Sequence, residues 1–80
     1  MLSAPEVLDH YYLESRCLLL ELAATLDRLD RARAGGEPDA VESDDRLQRI
    51  RASLTILADR DARADRAERI LQLFSDPAEG

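Results

Sequence analysis

His10 and Glu14 stand four residues apart near the start of the chain, with Glu6 a further turn before them. On a helix that spacing puts an imidazole and carboxylates on one side, where they could chelate a divalent metal or pass a proton. Helical bundles that hold two metals carry Glu-x-x-His with further glutamates on other helices. That pattern is absent here. A metal carrier or metal-dependent enzyme using His10, Glu14 and Glu21 is therefore only a minor alternative, and no metal or cofactor is expected.

Nucleophilic chemistry finds less support. Cys17 lies seven residues after His10, which on one helix is about 10 Å along the axis, so the two cannot touch within one chain. Ser3, Ser43 and Ser53 have no histidine near them in sequence, and Ser3 and Ser43 are better placed as helix caps. Gly35-Gly36 precedes Pro38 with no lysine following, so it is not a phosphate-binding loop. Tyr11 and Tyr12 could stack a ligand, but their spacing suits the edge of a helical core. An 80-residue chain also leaves little volume for a substrate pocket. No catalytic residues are expected.

The elements that would position these residues are legible. Ser3-Ala4-Pro5-Glu6 has the form of a capping box with proline in the first turn. A helix is predicted from about 4 to 33, closed by Gly35-Gly36 and kept closed by Glu37-Pro38-Asp39. A connection is expected over 34–42. Two caps compete for the second helix: Asp39 with Glu42 three later, and Ser43 with Asp44 and Asp45 behind it. Leu47, Ile50, Leu54 and Leu57 then repeat at helical spacing, predicting a helix over about 43–58.

Ala64, Ala67, Ile70, Leu71 and Phe74 form another stripe. At 100° per residue it is rotated by roughly 110° from the first, and a straight helix cannot aim both at one core. Asp65-Arg66-Ala67-Glu68 reads as a fresh cap. The spacing therefore predicts a break within Asp59 to Asp65 and a short third helix over about 65–75, stopped by Ser75-Asp76-Pro77, with a frayed tail at 76–80. The expected fold is all-α: a single domain over 1–80, a small three-helix bundle in which the long first helix packs antiparallel on the second.

Charge excludes some partners. The net charge is −6, and all 11 basic residues are arginines. An acidic chain has little with which to neutralise phosphates, so nucleic acid is not expected as a partner. Arg60, Arg63, Arg66 and Arg69 recur every third residue, a period that walks around a helix and makes no stripe. Acid-first pairs four apart, Asp27–Arg31, Glu42–Arg46, Asp45–Arg49, Asp59–Arg63 and Asp65–Arg69, instead predict a solvated, ion-paired surface. No apolar run approaches the ~20 residues of a membrane span. The N-terminus lacks the basic region of a signal peptide, and a lone cysteine fits a reduced, cytoplasmic setting.

Helix one carries more apolar residues than one face needs. Leu8, Tyr11, Tyr12, Leu18, Leu19, Leu22, Leu26 and Leu29 share a broad side, expected to form the core. Nearly opposite lies a narrow seam, Leu13, Cys17, Leu20 and Ala24, bordered by His10, Glu14, Glu21 and Arg28. A thin apolar seam with charged borders has the form of a helix–helix contact. The function expected is that of a small, non-catalytic interaction or accessory protein acting through this seam on a protein partner, itself or another helical protein, with homodimerisation through helix one. An acidic regulator that masks a basic protein, as antitoxins and anti-factors do, is the alternative, resting on Glu6, Asp9 and Glu14.

Overall fold

The computed structural model of the chain describes residues 1–36 and 41–75. These residues form three α-helices and no strand: α1 (Ala4–Ala34), α2 (Asp45–Leu57) and α3 (Arg66–Ser75). Each end falls within one or two residues of its expected place. The chain divides into two units, Met1–Glu37 and Pro38–Gly80. The expected cap at Asp39, the stop at Asp76-Pro77 and the tail at 76–80 lie outside the described residues.

The first unit is α1, 31 residues or roughly 46 Å of helix. Its start is the capping box. The Ser3 amide donates to Glu6 Oε1 at 2.9 Å and the Glu6 amide donates to Ser3 Oγ at 3.3 Å. Two amides that the helix leaves unpaired are thereby satisfied. These bonds, the Ser3 amide first, hold the Glu6 carboxyl below the usual glutamate range. At the other end the helix tightens. Gly35 donates to Arg31 O at 3.3 Å and Ala32 O at 3.2 Å, at φ −93° and ψ 1°. The glycine pair thus ends α1 without a left-handed residue. Arg31 and Arg33 in the last turn complement the helix dipole.

In the second unit α2 packs against α3. The cap of α2 is Asp44, not Ser43: its Oδ1 accepts from the Arg46 amide at 2.8 Å. Asp44 prevails because a carboxylate does two things at once there, where a hydroxyl could do only the first. It accepts the amide and also takes the Arg46 guanidinium, Nε to Oδ1 at 3.0 Å and Nη2 to Oδ2 at 2.7 Å. The Arg46 side chain first, and its amide second, draw the Asp44 carboxyl from its ordinary 3.8 to about 2. A depressed carboxylate stabilises the fold fully above its unfolded value and loses that contribution as pH falls through its folded value. Helicity of α2 is expected to decline between about pH 4 and pH 2, read by circular dichroism. In Asp44→Asn, which caps without titrating, that component of the acid transition should vanish.

The break predicted within 59–65 is present. Its pivot is Ala64, at φ 61°, a left-handed conformation costing an alanine about 1–2 kcal/mol. Glycine adopts it without a Cβ penalty, offset partly by its larger unfolded-state entropy. Ala64→Gly is therefore expected to stabilise the α2–α3 unit by about 0.5–1 kcal/mol in denaturant titrations.

One packing expectation is corrected. Ala64 lies outside α3 and is exposed, as are Ala67, Leu71 and Phe74; of the expected stripe, Ile70 alone is partly covered. The covered side of α3 is Arg66, Arg69, Ile70 and Leu73. Polar bonds set that rotation. Arg66 donates through Nη2 to the Asp59 carbonyl. Arg69 Nη1 meets Asp59 Oδ2 at 3.0 Å, and Arg49 Nη1 donates to the Leu73 carbonyl at 2.6 Å. Within its own unit, α1 has no buried residue. On its broad side Leu8 is 65% exposed, and Tyr11, Tyr12, Leu18 and Leu19 are likewise open. Only Leu22, Leu26 and Leu29 are half-covered. α2 and α3 pack against each other, with Leu47 the one buried side chain among the described residues, 5% exposed.

Candidate functional site

The residues of the predicted seam all lie in α1. Leu13, Cys17 and Leu20 are exposed and Ala24 is half-covered, Leu13 at 69% and Leu20 at 55%. They recur on one side because four, three and four residues separate them. The bordering His10, Glu14, Glu21 and Arg28 are all exposed. The same helical phase puts Glu6 and Arg31 at the two ends of the seam, an extension not recognised from the apolar pattern because both residues are charged.

His10 engages its neighbour, with the Tyr11 ring edge-on at 4.6 Å between centroids and 76° between planes. Among the described residues no three His, Cys, Asp or Glu side chains gather where they could hold a metal. His10 and Glu14 share a helix side with no third ligand beside them. Cys17 is a free, exposed thiol.

The ion pairs follow the folded loops more than the sequence spacing. Asp45–Arg49 forms as expected, at 2.6 Å, and Asp65–Arg69 approaches to 3.9 Å. Arg46 goes to Asp44, Glu42 reaches Arg51 at 3.4 Å, and Asp59 takes Arg69 instead of Arg63. Among the described residues no ion pair joins Asp27 to Arg31. Asp65 accepts from the Arg63 amide at 3.3 Å, so its carboxylate faces the break.

Asp59 is the residue that the sequence pattern undervalued. Its carbonyl takes Arg66, while its carboxylate takes the Asp61 amide at 3.0 Å and the Arg69 guanidinium. The Asp61 amide, then Arg69, hold its carboxyl below the ordinary aspartate range. These bonds fasten the break to α3. Asp59 thus acts as a clasp between the break and α3.

Comparison with protein families, curated proteins and solved structures finds no match. Among the described residues no helix is long and apolar enough to cross a membrane.

Proposed function

We propose that this protein is a small, non-catalytic interaction or accessory protein whose working surface is α1, with the Leu13–Cys17–Leu20–Ala24 seam as its contact to a protein partner. The observation that carries this reading is the exposure of leucines on a helix with no buried residue. Exposed apolar side chains in a row gain free energy only when something covers them. The charged border then sets register and rejects wrong partners.

The test compares proteins retained from the native cell by the wild type and by Leu20→Glu. The reading requires partners that the variant loses. An unchanged set of partners would overturn it. Salt separates it from the acidic-regulator alternative, which Glu6, Asp9 and Glu14 support. Leucine-driven association should persist from roughly 0.1 to 1 M salt, whereas charge-driven masking should weaken steeply.

A further inference from the structure

We infer that the occupant of the α1 seam is a second copy of this chain, running antiparallel, with the centre of reversal between Leu18 and Leu19. The inference rests on the reading of the seam as a protein contact. It adds the identity, direction and register of the partner.

A contact across a two-fold axis must match itself when turned around. The seam does so along its central line. In order it reads Glu6, Leu13, Cys17, Leu20, Ala24, Arg31. Reversed about the point between Leu18 and Leu19, Leu13 faces the second copy's Ala24 and Cys17 faces the second copy's Leu20. Each large side chain thereby meets a small one, which lets two helices approach closely and interdigitate. At the ends Glu6 faces the second copy's Arg31, acid against base, and the two-fold axis repeats the pair. Both residues are exposed. The Ser3 amide occupies Glu6 Oε1, which leaves Oε2 to accept from the guanidinium.

The parallel alternative fails on the same residues. It sets Glu6 against Glu6, Arg31 against Arg31, leucine against leucine and small against small. The end-to-end charge distribution agrees, while Glu14 falls near the second copy's Glu21 on the solvated rim, where charge pairs weigh little. From residue 4 to 15 the helix carries Glu6, Asp9 and Glu14 with no arginine, while its last turns hold Arg28, Arg31 and Arg33 against Asp27 and Asp30. Antiparallel pairing lays the acidic end on the basic one. It also brings Asp9 near the second copy's Asp27, at a solvated rim where charge pairs weigh little. The broad side of α1 has no oppositely charged ends of this kind to specify a second copy. Two leucines and two small residues per copy cover less than the ~800 Å² per partner of a standard interface, so dissociation is expected in the micromolar range.

The experiment uses two full-length variants, Cys17→Ser with Leu13→Cys and Cys17→Ser with Ala24→Cys. Each is oxidised alone and then mixed with the other. Residues facing each other in the proposed register come within disulfide reach. The mixture should yield a 13–24 cross-linked species while each variant alone stays reduced. Self-cross-linking of each variant alone would show parallel pairing and overturn the proposal. As a second measurement, Arg31→Glu in the otherwise native chain should weaken self-association about 3- to 10-fold in sedimentation. A wild type that sediments as a monomer at several hundred micromolar, or a mixture that does not cross-link, would also overturn the second copy. If Leu20→Glu still lost protein partners in that case, the reading of the seam as a protein contact would stand without the dimer.

Discussion

Leu20→Glu is expected to abolish association through α1 while leaving the helix intact. Leu20 is 55% exposed in the chain, so a carboxylate at that position stays in water and costs the fold little. Glutamate is also a good helix former. In a covered seam the same change loses the burial of a leucine, about 1.5–3 kcal/mol, and adds the desolvation of an unpaired charge. A two-fold contact suffers both effects twice. Affinity should fall at least 100- to 1,000-fold, which converts a micromolar association into a monomer at any practical concentration. Sedimentation velocity reads the loss, and an unchanged far-ultraviolet dichroism spectrum confirms that α1 survives. A variant that still associates like the wild type would remove the seam from consideration.

Leu47→Ala should have the largest effect on stability. Leu47 is the one buried side chain among the described residues, and it sits where α2 meets α3. Ile50 and Leu54 of α2 and Ile70 and Leu73 of α3 are only half-covered, so the unit has little other apolar burial. Truncating a buried leucine removes its transfer free energy and leaves a cavity. The partly open surroundings can relax or admit water, which places the loss at about 2–3 kcal/mol, the lower part of the usual range. For a unit this small that is a large share of its stability. Amide signals of α2 and α3 should lose dispersion while those of α1 keep theirs, in heteronuclear spectra of the variant. Leu57→Ala, at an exposed position of the same helix, should leave them unchanged.

The contrast between these leucines shows how much of the molecule was legible in the sequence. Leu20 and Leu47 belong to equally good helical stripes, and spacing alone cannot tell which stripe is covered. The boundaries were readable because caps act locally. Ser3 and Glu6 satisfy each other across three residues, and the change of phase after Leu57 announced the break that Ala64 makes. Ser43 and Asp44 were harder to separate, because the deciding partner was the Arg46 side chain and not the backbone. The rotation of α3 was not readable. Arg66 and Arg69 reach back to Asp59, and Arg49 reaches forward to Leu73. Such long-range bonds to carbonyls and a loop carboxylate leave no periodic trace in the chain.

The sequence by itself determined the all-α class, the number of helices, their ends to within a residue or two, and the narrow apolar seam with its charged border. All of these follow from interactions within one or two helical turns. Only the tertiary structure decided which apolar side chains of α2 and α3 are covered and which arginines serve α3. Coverage in the second unit depends on bonds between distant residues, such as that from Arg49 to the Leu73 carbonyl, which no local pattern contains.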